Sequence, residues 1–248
     1  EIRKAFVPRD NSPNGGTGWK MISADYSQIE LRLMADMSGD SNMREAFVNN
    51  EDIHTKTAAQ IFGLEQSEVE PEMRYRAKAI NFGILYGMSS YRLAREQGIS
   101  NEEAQDFINA YFNYFPAVNQ FIANQIAFAR DNGYTETMFG RRRYLPELHS
   151  DNQRIRQNAE NIAINTPLQG TAAELIKVAM INLNNNLEKG GFEAKLLLQI
   201  HDELVLEAPE QEVEKIKQTV KNCMENTMKL SVPLVVDVQS GDNWYEAH

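Results

Sequence analysis

A single cysteine, Cys223, stands in 248 residues, so the chain has neither an internal disulfide nor a cysteine-built zinc framework. No apolar run approaches the roughly 18 residues of a membrane span, the longest being pieces such as Leu196-Leu197-Leu198. The start, Glu1-Ile2-Arg3-Lys4-Ala5-Phe6, lacks the basic-then-apolar layout of a signal peptide. The expectation is a soluble chain in a reducing cytoplasm, with no membrane partner and no obligate protein partner. Internal repeats and low-complexity tracts are missing too. With 42% hydrophobic and 24% charged residues, the composition excludes disorder, a fibre or a coiled coil. The length suits one large domain or two intimate ones.

Positive charge is also scarce: 25 Lys and Arg against 35 Asp and Glu leave a net charge of −10, which by itself speaks against a nucleic-acid partner. The average conceals two basic stretches. Pro71 to Arg95 carries Arg74, Arg76, Lys78, Arg92 and Arg95 against Glu72, and Phe139 to Ala159 carries Arg141, Arg142, Arg143, Arg154 and Arg156 against Glu147 and Asp151. Binding footprints are local, so a polyanion remains a candidate.

Ser12 to Gly18 reads as a loop or hairpin tip and Trp19 to Tyr26 as a short buried strand. Ser27-Gln28-Ile29-Glu30 has the form of a capping box opening a helix to about Gly39. Helical signals then dominate: Thr55 to Phe62 before Gly63, Pro71 to Tyr86 before Gly87, a helix from Ser100 to Pro116, and another from Ala117 to Asn132. Asp151 to Asn165 and Pro167 to Lys189 read as two further helices, Pro167 separating them. In the tail, Ala194 to Ile200 and Leu204 to Glu207 are strand-like and joined by His201-Asp202-Glu203. A helix from Glu210 to Met228 and a strand from Leu234 to Val238 complete the pattern. Strands at both ends around a helical middle indicate an α+β fold: a sheet with packed helices and a mostly helical insertion.

Asp25 ends one apolar strand and Asp202 lies at the joint of an apolar hairpin. Either could be an ordinary turn acid paired with water or arginine. With Glu203, they could instead form a carboxylate cluster for hard divalent cations that also bind substrate phosphates. Arg74, Lys78, Phe82 and Tyr86 recur every four residues, so each advances by only about 40° around a helix and all four share one stripe. A basic stripe alone is usually a solvated face, and an aromatic pair at this spacing is usually core. Together they suit a ligand with a polyphosphate at one end and a flat base at the other.

These residues spell three motifs. Asp25-Tyr26-Ser27-Gln28-Ile29-Glu30-Leu31-Arg32, then Arg74-x-x-x-Lys78-x-x-Asn81-Phe82-Gly83-x-x-Tyr86-Gly87, then Gln199-Ile200-His201-Asp202-Glu203 resemble motifs A, B and C of family A DNA polymerases. Thr166-Pro167-Leu168-Gln169-Gly170 and Gly241-Asp242-Asn243-Trp244 agree as well, so the resemblance covers nearly the whole chain. It implies an antiparallel palm sheet with an inserted fingers subdomain: palm over residues 1–35 and 155–248, fingers over 36–154. The family's thumb and exonuclease domains are expected to be absent from this chain.

The resemblance implies a template-directed DNA polymerase acting on primer-template DNA and deoxynucleoside triphosphates with two magnesium ions (Mg2+). Asp25 and Asp202 would hold the metals together with the Tyr26 carbonyl, and Glu203 would support them. Arg74, Lys78 and His54 would hold the triphosphate, with Lys78 counted among the catalytic groups. Phe82, Tyr86, Gln28 and Glu30 would surround the sugar and base, Glu30 crowding the 2′ position of a ribonucleotide. Gln169, Asn165, Gln199, His201 and Arg32 would contact DNA, the first four in the minor groove, whose acceptor pattern tolerates any sequence. Asn161 departs from the pattern, standing where many members carry an arginine facing the DNA. A magnesium-dependent nuclease would also need paired carboxylates, but would have no use for the Arg74-Lys78-Phe82 stripe. A catalytically silent DNA-binding module is disfavoured by the net charge and by the two intact aspartates.

Overall fold

A computed structural model of the chain describes residues 1–9 and 18–248. The loop expected between Ser12 and Gly18 therefore falls outside the described residues except for Gly18. In chain order the elements are β1 (Trp19–Tyr26), α1 (Ile29–Ser38), α2 (Ser41–Val48), α3 (Ile53–Phe62), α4 (Pro71–Leu85), α5 (Ser90–Gln97), α6 (Asn101–Tyr114) and α7 (Pro116–Asn132). There follow β2 (Tyr134–Glu136), β3 (Arg142–Tyr144), α8 (Gln153–Gly190), β4 (Lys195–Ile200), β5 (Glu203–Pro209), α9 (Val213–Glu225) and β6 (Val236–Gly241). No helix among the described residues is long and apolar enough to cross a membrane.

Two compact units result. Glu1–Ile29, Ala172–Lys229 and Pro233–His248 form one; Glu30–Thr171 with Leu230–Val232 forms the other, the division falling inside α8. The first unit is built on an antiparallel sheet of order β4-β5-β1-β6. Its two central strands are β5, buried at every position, and β1, buried or partly buried throughout. Period-two alternation sorts β1 into Met21, Ser23 and Asp25 on one face and Ile22, Ala24 and Tyr26 on the other. The second face meets α9, whose buried Val213, Ile216, Val220 and Met224 recur at helical spacing. Tyr26 ties the two together by donating its hydroxyl to the Met224 carbonyl at 2.8 Å. Met21 and Val205 on the first face pack against Trp244 and Ala247 of the C-terminal segment. Edge strand β4 alternates exposed and half-buried positions and carries Lys195 at its start, a charge that discourages edge-to-edge pairing.

The second unit is helical apart from the β2–β3 hairpin. Its helices begin where Asp40, Asp52, Ser89 and Ser100 accept from backbone N–H groups of the first turn. Several of them stop at glycines in the left-handed region, Gly63, Gly98 and Gly133. The register of α1 differs from the expected capping box. Gln28 takes a left-handed φ of 56° and the helix starts at Ile29, so Ser27 stands too far upstream for the N-cap and Glu30 is the second helical residue.

The larger departure is α8, one helix of 38 residues running through Pro167 where a break between two helices is expected. Proline lacks the N–H that would bond the carbonyl four residues earlier, that of Ala163. That carbonyl accepts instead from the Thr135 hydroxyl at 3.1 Å, and Thr135 is fully buried. The hairpin thus supplies the donor the proline removes. Thr135→Val keeps shape and strand preference but orphans the Ala163 carbonyl. It should cost about 1–3 kcal/mol, read as a lower denaturation midpoint; an unchanged midpoint would show that the carbonyl needs no donor.

Candidate active site

The carboxylates come together through strand pairing. Asp25, at the end of β1, sits directly opposite Glu203, the first residue of β5, and the Tyr26 N–H donates to the Asp202 carbonyl at 3.3 Å. The turn between β4 and β5 is tight enough that His201 takes a φ of 54° without being glycine. Burial, followed by the charges of Asp202 and Glu203, raises the Asp25 carboxyl to about 6. Asp237, opposite Asp25 on β6, adds to the rise, while His248 opposes it.

Among the described residues, no group of three or more His, Cys, Asp or Glu side chains is arranged to hold a metal by itself. Magnesium is commonly bound through one or two carboxylates plus water and substrate phosphates rather than in an all-protein cage. Two neighbouring aspartates whose charges repel, next to the Tyr26 backbone, form a donor set of hard oxygens that fits such an ion.

In the second unit, the four-residue stripe lies on α4. Its core face is Ala77, Ile80, Asn81, Gly83, Ile84 and Leu85, all buried. Arg74 and Lys78 are exposed and Phe82 and Tyr86 half-buried, so the stripe is not the packed face. Lys78 makes no ion pair among the described residues, whereas Arg74 is paired with Asp52. Asp52 also accepts from the His54 N–H at 3.0 Å and the Thr55 hydroxyl at 2.8 Å, so one side chain caps α3 and orients the arginine.

His54 is 2% exposed. The Asn81 amide bonds its Nδ1 at 2.9 Å, placing the ring proton on Nε2. Burial, aided by the charges of Arg74 and Lys78, lowers the imidazole to about 4 despite Asp52. His54 is therefore a neutral donor at pH 7, not a third cation for a triphosphate. Its ring lies 5.8 Å from that of Phe82.

Tyr86 donates its hydroxyl to Glu30 Oε2 at 2.7 Å, tethering the motif A carboxylate to the end of the motif B stripe. Gln28 is half-buried at the strained turn into α1. Arg32, expected at the DNA, is 5% exposed, with its guanidinium 4.6 Å over the Phe47 ring inside the helical unit.

Of the other expected DNA residues, Gln169, Gln199 and His201 are exposed. Gln199 bonds the His201 carbonyl at 2.6 Å across the turn. Asn165 is half-buried, and its Oδ1 has no hydrogen-bond partner among the described residues. Asn161 packs on the end of α4, where a Cβ on Gly87 (φ 68°) would lie 2.3 Å from its Oδ1. An open cavity of about 600 Å³ gathers Asn161 with Arg143 and Arg154 of the second basic stretch. Asp52, Ser23 and Asp237, and the contact made by Trp244, escape a reading of the sequence because each acts through a partner distant in the chain.

The chain resembles known proteins over nearly its whole length. It is 51% identical over 246 residues to the thermostable DNA polymerase I of Thermus filiformis and 49% identical over 245 residues to DNA polymerase I of Caldicellulosiruptor bescii. In each case 99% of this chain is covered, and the chain spans 28% of the length of these curated relatives. Among solved structures, the polymerase domain of Pol1 from M. smegmatis, in complex with DNA primer-template and dNTP, superposes with a TM-score of 0.93 at 44% identity. That match covers 99% of this chain and 42% of the other. The profile of DNA polymerase family A matches residues 1–246, and the chain belongs to that family.

Proposed function

We propose that the chain is the catalytic region of a template-directed DNA polymerase, extending a primer 3′-hydroxyl with deoxynucleoside triphosphates. The observation that carries the reading is the open Arg74-Lys78-Phe82-Tyr86 stripe in a chain that also pairs Asp25 with the Asp202 turn. The sheet unit takes the palm's role and the helical unit that of the fingers. The M. smegmatis relative, bound to primer-template and dNTP, supports the same assignment of partners.

Asp25, Asp202 and the Tyr26 carbonyl would hold two magnesium ions, which when bound stabilise the attacking and leaving oxygens of an in-line phosphoryl displacement. Arg74 and Lys78 neutralise the triphosphate, and the neutral His54 donates a single hydrogen bond to it. Phe82 and Tyr86 offer ring faces to sugar and base. Gln169, Asn165, Gln199 and His201 read groove acceptors common to all base pairs. The cavity lined by Arg143 and Arg154 offers cations to a DNA backbone.

Extension of a labelled primer-template with magnesium and nucleotides, compared with cleavage of the same DNA without nucleotides, tests this. Cleavage without extension would overturn it in favour of a nuclease, which leaves the α4 stripe without a task.

Glu30, held by Tyr86, is proposed to exclude ribonucleotides by occupying the space a 2′-hydroxyl needs. Glu30→Ala should raise the ratio of ribonucleotide to deoxynucleotide incorporation by at least about tenfold, the scale on which a pocket discriminates a small group. An unchanged ratio accompanied by a lower melting temperature would assign Glu30 to the stability of α1 alone.

A further inference from the structure

Glu203 is 3% exposed, and among the described residues its contacts converge on one oxygen. Oε1 accepts from the Ser23 hydroxyl at 2.6 Å and from Trp244 Nε1 at 2.6 Å, and lies 3.4 Å from His248 Nδ1. An indole N–H can only donate, and it donates once. Its direction here is set independently of Glu203. The Trp244 backbone N–H donates to the Phe6 carbonyl at 2.9 Å, and the Phe6 ring stands edge-on at 5.4 Å. The Arg3 guanidinium lies 4.9 Å from the indole centroid, and Met21, Val205 and Ala247 pack around the ring. Trp244 is thus a fixed donor to which Glu203 conforms. Glu203 in turn is the residue directly opposite Asp25, on the same face of the sheet.

We infer that Trp244, assisted by Ser23, is a positioning residue for the carboxylate centre. By pinning Oε1 it holds the Glu203 carboxylate in one orientation beside Asp25 and Asp202, and so sets the centre's affinity for divalent cations. The inference rests on the metal-dependent reading above and extends it to residues outside the three motifs. Groups that orient the donors of a metal site commonly contribute ten- to a hundredfold in affinity.

The test is Mn2+ binding to the purified chain without nucleotide or DNA, followed by the electron paramagnetic resonance of the free ion, so that turnover plays no part. Asp25→Asn and Asp202→Asn should lose binding. Trp244→Phe keeps an aromatic ring in place but removes the N–H, and should weaken binding roughly tenfold. Combined with Glu203→Gln it should weaken binding no further than Glu203→Gln alone, the non-additivity expected of groups acting through one another. Unchanged affinity in Trp244→Phe, or losses that add, would overturn the inference and leave the metal reading standing. No Mn2+ binding by the parent would overturn the metal reading itself.

If Trp244→Phe does not fold, the intact protein still answers. The chain has two tryptophans, Trp19 and Trp244, and 15N labelling yields two indole resonances, assigned with Trp19→Phe. The Trp244 resonance should shift in Glu203→Gln and on addition of magnesium. A resonance indifferent to both would overturn the inference.

Discussion

Asp25→Asn and Asp202→Asn each reduce magnesium-dependent primer extension by at least about a thousandfold, and Asp25→Asn at the same time stabilises the metal-free chain. The first effect follows from the proposed chemistry. Metal stabilisation of a phosphoryl transition state is worth several kcal/mol, and each 1.36 kcal/mol is a factor of ten in rate. Primer extension under single-turnover conditions checks it, and a variant keeping a tenth of the parent rate would remove its aspartate from the metal set.

The second effect follows from the raised Asp25 carboxyl, at about 6 in the fold against 3.8 for the free side chain. Above pH 6 both folded and unfolded chains carry the charge, and the fold bears the full cost of holding it near Asp202 and Glu203. As the pH falls from 6 toward 4, the folded chain takes up a proton that the unfolded chain does not, and the cost fades. Stability of the metal-free chain should therefore decline as the pH rises through this window. The shift corresponds to about 1–2 kcal/mol once the solvent reaching a half-buried carboxylate is allowed for. Asp25→Asn removes that cost at pH 7.5, and for a chain of this size about 2–4 °C of melting temperature accompanies each kcal/mol. Added magnesium should raise the melting temperature of the parent and leave the variant unmoved, because ligand binding stabilises only a fold that binds. A variant that melts below the parent in the absence of metal would show that Asp25 makes a structural contact.

The features legible in the sequence are those encoded locally. Trp19 to Tyr26 is legible as a strand because a short, mostly apolar run follows the turn signals of Ser12 to Gly18, and the stripe from Arg74 to Tyr86 is visible because a four-residue spacing maps onto one side of any helix. The tertiary structure adds that Ile80, Ile84 and their neighbours occupy the core, which leaves Phe82 and Tyr86 for a ligand. Features that depend on distant partners are invisible beforehand. Pro167 reads as a break because nothing nearby announces that Thr135 will satisfy the Ala163 carbonyl. Arg32 is expected at the DNA through its motif, and nothing nearby announces that Phe47 offers it a ring within the helical unit. Ser27 and Glu30 have the spacing of a capping box, and the left-handed turn at Gln28 moves the helix start past it. Nothing around Asp52 announces the Arg74 that α4 brings to it, and the Gly241-Asp242-Asn243-Trp244 motif does not announce that the Trp244 N–H meets Glu203. For Pro167, Arg32, Asp52 and Trp244 the missing information is a single long-range hydrogen bond or ring contact.

The same contrast between a committed and an uncommitted cation leads to the other large effect. Lys78→Gln should lower kcat/KM for nucleotide incorporation by about 10²–10³, the usual loss when one preorganised donor to a developing charge is removed. Arg74 already shares its charge with Asp52, so part of its field is spent before a triphosphate arrives. Lys78 is exposed, is free of any ion pair among the described residues, and stands one turn from Arg74 on the same stripe. Its ammonium can therefore go wholly to the phosphates, and if it follows their charge into the transition state the loss falls mainly on kcat rather than KM. Arg76 provides the control. It carries the same charge on the same helix but lies off the stripe, bonded to Glu72 at 2.9 Å. Arg76→Gln changes the net charge identically and should leave kcat/KM within a few-fold of the parent, since an exposed pair of this kind is worth at most about 1 kcal/mol. Steady-state kinetics on the two variants at fixed salt decide the matter: comparable losses would reduce the stripe to general attraction of an anion by a basic helix, and Lys78 would forfeit its place in the active site.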